Sequence, residues 1–124
     1  MDIGETLEAS TPAQFRTWLR KNHGKKSEIW LIQYKKASGK PTLSLQQAQD
    51  EAMCFGWVDS FMKSIDLERY ATRFSPRRPK SNWTQGNRQR ALQLAAEGRM
   101  TSAGKAALPA DMRVLAGLPQ QEES

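Results

Sequence analysis

Short apolar segments with two different spacings alternate along this sequence. Within residues 12–22 the large apolar side chains of Phe15, Trp18 and Leu19 recur three and four positions apart, which is the spacing of one helix face. Residues 29–34 are instead rich in β-branched and aromatic residues and are flanked by lysines, a pattern typical of a strand. The chain is therefore expected to combine helices with a sheet.

Capping residues set the expected bounds of these first elements. Ser10-Thr11-Pro12 offers a cap and a proline for the first helical position, and Asn22-His23-Gly24 is typical of a helix end. The flanking lysines extend the first predicted strand to residues 27–36.

The middle of the chain predicts a second helix followed by a hairpin. Ser44 and Gln47 form a capping box, so a helix is expected from this point to about Cys54. Residues 57–65 and 69–75 then have the composition of two strands, and the polar residues between them suit a turn.

The last predicted elements are helical. Ser81 or Thr84 would cap a third helix that ends at Gly98, and Thr101 would cap a short fourth helix. The predicted fold class is α+β: a small three-stranded sheet, including one hairpin, packed with about four helices on one face in a single domain. Three strands are too few to close a barrel.

The expected domain organisation is a flexible arm at residues 1–9, the α+β domain at 10–108 and a weakly ordered tail at 109–124. With 124 residues, one hydrophobic core is the default. A lone cysteine, Cys54, and the absence of a zinc-binding spacing leave packing to hold the fold, and favour a reducing compartment. The sequence has no signal peptide or membrane span, so we expect a cytoplasmic protein without membrane insertion.

Positive charge is concentrated in one part of the chain. The formal net charge is +6 and the sequence pI is about 9.8, which favours anionic partners such as a phosphorylated small molecule or nucleic acid. Residues 69–90 contain seven basic residues and no acid, and the rest of the chain sums to about −1. The seven are Arg69, Arg73, Arg77, Arg78, Lys80, Arg88 and Arg90.

The basic stretch predicts a ligand-binding site just before the third helix. Arg77, Arg78 and Lys80 precede the helix start, where free backbone N–H groups and the positive end of the helix dipole favour an anion. The predicted ligand-binding set also includes Arg73, Trp83 with its ring and Asn87 with its amide. The competing interpretation is a solvated basic loop whose arginines pair with Asp59, Asp66 or Glu68.

Asp59 is the one candidate for catalysis. Strand alternation predicts that it shares a face with Trp57 and Phe61, where a carboxylate needs a partner. Pairing with an arginine would make it structural, whereas a polar cleft would allow it to act as a base. Cys54 is expected to be a buried apolar residue, and His23 to cap the first helix.

Several segments in the same order resemble one bacterial family. They span about residues 13 to 107 and are Phe15-Arg16-x-Trp18-Leu19, Ile29-Trp30, Tyr34-Lys35-Lys36, Ser38-Gly39-Lys40-Pro41, Glu51-Ala52-Met53-Cys54-Phe55-Gly56-Trp57-Val58-Asp59, Arg73-Phe74-Ser75-Pro76-Arg77-Arg78, Ser81-x-Trp83, Asn87 and Glu97-Gly98-Arg99-Met100. Together they resemble the YdeI/OmpD-associated family, also called bacteriocin-protection proteins. The resemblance implies a stress or bacteriocin-protection role and a protein partner. The chain looks like a short version without the family's basic C-terminal helical segment, and Ser60 stands where the family tends to have glycine.

Two functions remain open from the sequence, besides the protein partnership that the resemblance implies. The first is a small binding module for an anionic ligand, either a phosphate-bearing molecule or nucleic acid, with no cofactor and no metal. The alternative is a small enzyme that uses Asp59 with Arg73 or Arg77 in a pocket at the sheet edge, although no nucleophile, metal set or phosphate loop accompanies them.

Overall fold

The computed structural model describes residues 2–78 and 82–115, and these ranges form an α+β fold of four strands and five α-helices. The strands are β1 (Thr6–Glu8), β2 (Ile29–Tyr34), β3 (Trp57–Ser64) and β4 (Arg69–Pro76). The helices are α1 (Pro12–Asn22), α2 (Leu45–Met53), α3 (Gln85–Ala96), α4 (Ser102–Ala106) and α5 (Ala110–Leu115). No helix in this part of the chain is both long enough and apolar enough to span a membrane.

The sheet has one strand more than predicted, in the order β1-β2-β4-β3. The extra strand, β1, lies within residues 1–9, which were expected to be a flexible arm, and it pairs in parallel with β2 so that Leu7 is opposite Leu31. The local sequence gave no sign of it because only three residues take part, and their strand conformation comes from pairing with a segment more than twenty residues away. The other neighbouring strands are antiparallel.

Helix starts follow the predicted caps. Ser44 and Gln47 form the expected capping box of α2. Thr11, Thr84 and Thr101 cap α1, α3 and α4, and each hydroxyl accepts a hydrogen bond from a backbone N–H in the first turn. Of the two caps considered for α3, Ser81 lies outside the described residues.

The helices cover one face of the sheet, as predicted. The main core contains buried side chains from the helices and from the sheet positions that face them, such as Phe15 of α1, Leu94 of α3 and Phe74 of β4. On the second face of the sheet a smaller cluster forms from Trp30, Ile32 and Ala71, packed by the partly buried Ile3 and Ile65. Helices therefore cover one face, while the N-terminal segment contributes to the cover of the other.

A fifth helix, which the sequence analysis did not predict, lies near the C-terminal end of the described residues. Residues 109–124 were predicted to be a weakly ordered tail, but Ala110–Leu115 is a helix whose Met112 is 1% exposed in the main core. The buried Met112 side chain and an ion pair between Asp111 and Arg88, 2.5 Å apart, hold this helix in place. Such a short helix has too little periodicity to be recognised from sequence. The remainder of the predicted tail lies outside the described residues.

Two glycines allow a close approach between α2, β3 and α4. Gly56 has a φ of 77° at the junction of α2 and β3, and its carbonyl oxygen accepts a hydrogen bond of 2.8 Å from the backbone N–H of Arg77. Gly104 packs so tightly that a Cβ placed there would be 2.2 Å from the carbonyl oxygen of Cys54. This junction fixes the backbone that leads to Arg77 and Arg78.

Candidate anion-binding site

Four of the seven basic residues in the 69–90 stretch form ion pairs with carboxylates in the described structure. The pairs are Arg69 with Asp66 at 2.9 Å, Arg73 with Glu28 at 2.7 Å, Arg88 with Asp111 at 2.5 Å, and Arg90 with Asp50. Their positive charge is largely balanced within the protein. The broad basic surface expected from the sequence is therefore reduced to a smaller region around residues 77 and 78.

Arg73 lies away from that region. It is opposite Trp30 in the β2–β4 register, which places it on the second face of the sheet. Its Nε donates to Glu28 Oε1 at 2.7 Å, and its Nη1 lies within hydrogen-bonding distance of the hydroxyls of Ser60 and Ser75. The structure therefore does not bring this predicted ligand-binding residue together with Arg77.

Arg77 and Trp83 form the centre of the candidate site. The guanidinium carbon of Arg77 lies 4.0 Å from the centre of the Trp83 ring, a cation–π arrangement. Nη1 of Arg77 donates to the carbonyl oxygen of Asn82 at 3.3 Å. Burial lowers the pKa of Arg77 from its usual value, and the negative charge of Asp59 partly opposes that effect. The guanidinium is thus oriented and partly removed from water, which strengthens its interaction with an anion.

The start of α3 contributes a second source of positive potential. Its first turn has no acidic residue, and the Thr84 hydroxyl accepts from the backbone N–H of Asn87 at 3.1 Å. The side chain of Asn87 is half-buried and makes no hydrogen bond with another described residue. Arg78 is exposed and forms no ion pair within the described part of the chain. Lys80, also predicted for this site, lies outside the described residues.

Asp59 lies in the first half of β3. Its Oδ1 accepts a hydrogen bond of 3.2 Å from Nε2 of Gln49 in α2. The salt bridge to an arginine that the sequence suggested is not formed within the described residues. Asp59 therefore influences Arg77 through its charge, without direct pairing.

The expectation that Asp59 shares a face with both Trp57 and Phe61 is wrong for Phe61. Trp57 is 2% exposed, but Phe61 is 51% exposed. The β3–β4 register shifts between Asp59 and Met62, which marks a β-bulge. Because the bulge adds one residue to β3, strict alternation ends at Asp59, and the sequence gives no direct signal of the bulge.

Sequence reasoning missed a cluster of buried charges at the end of α2. Glu51 is buried between two arginines, with Oε1 accepting from Arg16 at 3.0 Å and Oε2 from Arg99 at 2.8 Å. The sequence did contain a signal for a buried charge. Glu51 lies three residues after Ala48 and one before Ala52, which places it on the apolar face of the helix. The cluster joins α1, α2 and the segment after α3, and its donors are largely occupied internally.

Cys54 and His23 have the roles expected from the sequence. The Cys54 thiol is fully buried, and burial raises its pKa while nearby Arg16 partly opposes the change. Nδ1 of His23 lies 2.8 Å from the carbonyl oxygen of Leu19, at the end of α1. In the part of the chain that the structure describes, no three His, Cys, Asp or Glu side chains are grouped to hold a metal ion.

Comparison with known proteins gives one family match. Residues 7–107 match the model of a family described as a domain of unknown function, DUF8412. A search of curated proteins and a search of solved structures each found no match.

Proposed function

This chain belongs to the DUF8412 family, a domain of unknown function, and we propose that it is a small module that binds an anionic ligand at Arg77 and Arg78, beside the start of α3. The observation that carries the proposal is the stacking of the Arg77 guanidinium on Trp83 at 4.0 Å. A side chain held in this way loses little conformational freedom when it binds, which favours recognition of a single charged group.

A phosphate-bearing small molecule suits this site better than nucleic acid. Nucleic-acid binding depends on many phosphate contacts along a basic groove, and four of the seven basic residues here already pair with carboxylates. Trp83 packs against the main core and carries Arg77 on its ring, so it serves as a support for the arginine more than as a platform for bases.

The resemblance to the YdeI/OmpD-associated family, which includes the segment of residues 51–59, stays a prediction. The role in stress or bacteriocin protection that it implies also stays a prediction. Anion binding is compatible with such a role but does not depend on it.

The proposal is tested by titrating ethyl phosphate into the protein and into the Arg77→Gln/Arg78→Gln variant. Charge-assisted hydrogen bonds contribute about 1.5–3 kcal/mol each, so the variant, which loses at least one such bond, should bind at least about 10-fold more weakly. Calorimetry measures the affinity, and thermal unfolding shows whether the variant is folded.

The matched control removes two positive charges elsewhere. Arg20 and Lys21 are exposed in the last turn of α1, so Arg20→Gln/Lys21→Gln lowers the net charge equally and should keep the affinity. An equal loss in both variants would show a general charge effect and overturn the proposal. Arg77-dependent binding of a single-stranded oligonucleotide 100-fold tighter than ethyl phosphate would identify nucleic acid as the ligand instead.

A further inference from the structure

Asp59 differs from the other buried and half-buried acids. Within the described residues these acids are Glu28, Asp50, Glu51 and Asp59. The first three each form an ion pair with at least one arginine. Asp59 forms none, and its only hydrogen bond with a described residue is the one that Oδ1 accepts from Gln49. Because a carboxylate has about four acceptor positions, much of its bonding capacity is left unused in this part of the structure.

The position of Asp59 connects it to the proposed anion site. In the sheet register Asp59 is opposite Phe74, three residues before Arg77, and the backbone N–H of Arg77 binds the carbonyl oxygen of Gly56, three residues before Asp59. Both residues therefore lie at the same end of the β3–β4 hairpin. The charge of Asp59 acts on Arg77, although no direct ion pair joins them.

A purely anionic ligand fits this arrangement poorly. Arg77 attracts the ligand, but the Asp59 carboxylate repels negative charge that approaches the same end of the hairpin. A ligand that also carries a positive group removes this conflict, since its cation can donate to the open carboxylate oxygen. Half-burial of both protein groups strengthens each interaction relative to water.

We infer that the ligand is a zwitterion, in which Arg77 binds the anionic group and Asp59 accepts hydrogen bonds from an ammonium group. This inference rests on the proposed function and specifies the class of ligand. It assigns Asp59 to recognition of the ligand.

The test compares two probes that differ only in the ammonium group. Ethyl phosphate lacks it, and O-phosphoethanolamine carries it two carbons away from the phosphate. We expect the native protein to bind O-phosphoethanolamine at least 10-fold more tightly, corresponding to one charge-assisted hydrogen bond. In Asp59→Asn this difference should disappear, while affinity for ethyl phosphate stays the same or rises. Asp2→Asn, which removes one negative charge at an exposed position, should keep the difference.

The results separate the inference from the proposed function. If both probes bind equally through Arg77, the anion site stands and the zwitterion inference is overturned. If neither probe binds, both proposals fail. Since Asp59 forms no ion pair with a described residue, Asp59→Asn should unfold at nearly the native urea concentration, so a loss of ligand discrimination will report on binding.

Two sources can supply a phosphate with a nearby ammonium group, namely a free small molecule and a phosphatidylethanolamine headgroup. Sedimentation with vesicles of phosphatidylethanolamine and phosphatidylcholine, compared with phosphatidylcholine alone, distinguishes them. Asp59-dependent binding to the first vesicles identifies the headgroup. Binding of O-phosphoethanolamine without vesicle binding identifies the free molecule.

Discussion

Arg90 donates hydrogen bonds from two of its nitrogens to the carboxylate of Asp50 and thereby connects α3 to α2. Its Nε donates to Oδ1 at 2.7 Å, and its Nη2 donates to Oδ2. Burial acts to raise the pKa of Asp50, but hydrogen bonds from Arg90 and Gln46 outweigh burial and leave that pKa below its usual value. The pair therefore stabilises the fold while Asp50 is ionised.

Replacing Asp50 with Asn should lower the free energy of unfolding at pH 7 by about 2–3 kcal/mol, because Arg90 loses its counter-ion in a half-buried setting. Urea denaturation at pH 7 measures this loss.

The ion pair between Asp50 and Arg90 also makes stability depend on pH. A depressed carboxyl pKa gives a contribution that is present above the unfolded pKa, about 3.9, and is lost as the pH falls through the folded pKa. Urea denaturation from pH 7 into this acidic range should show a smaller loss in Asp50→Asn than in the native protein. Equal pH dependence in both would contradict this role.

Glu51→Gln should also destabilise the protein, by about 2–4 kcal/mol, because Glu51 is buried between Arg16 and Arg99. Glu97→Gln is a matched control, since Glu97 is exposed and lies 3.3 Å from the same Arg99. Its effect should be below about 0.5 kcal/mol, as for an exposed pair. The urea midpoints of the two variants measure the contrast, and similar losses would show that burial is not decisive.

Gly104→Ala should destabilise the protein by about 2–3 kcal/mol, because the added Cβ would meet the backbone of Cys54 at 2.2 Å. Gly86→Ala in α3 makes the same change where no atom lies within 4 Å of the new Cβ. It should be neutral or stabilise by up to about 1 kcal/mol. Thermal unfolding compares them, and a stable Gly104→Ala would refute the close packing of α4 on the end of α2.

Cys54 should react slowly with thiol reagents in the folded protein. The thiol is fully buried, and its raised pKa keeps it protonated at neutral pH. Labelling with a chromogenic disulfide at pH 8 should be on the order of 100-fold slower than in urea, because reaction requires opening of the core. Rapid native labelling would show that the α2–β3 junction opens readily.

Local patterns predicted most elements correctly, because caps and apolar spacing act over a few residues. The capping box of Ser44 and Gln47 and the apolar spacing of Phe15 and Leu19 are examples. β1 and α5 were missed because each is very short and depends on a distant partner. The composition indicated a concentrated basic site, but acids elsewhere in the chain, such as Glu28 and Asp50, pair with several of its arginines. Such pairing becomes visible only once the chain is folded.

The bulge after Asp59 also affects how the molecule behaves at high concentration. β3 is the outer strand of the sheet, and it carries the exposed Phe61 and Met62. Asp59 and Met62 are opposite Phe74 and Thr72, which share one face of β4, so two residues three apart on β3 point to the same side. If the β3 strand of a second copy paired with this edge, the alternation of its side chains would match that of β3 only up to the bulge. Beyond the bulge, side chains that belong on opposite faces of the sheet would lie next to each other. We therefore expect the bulge to hinder strand-by-strand growth of aggregates from this apolar edge.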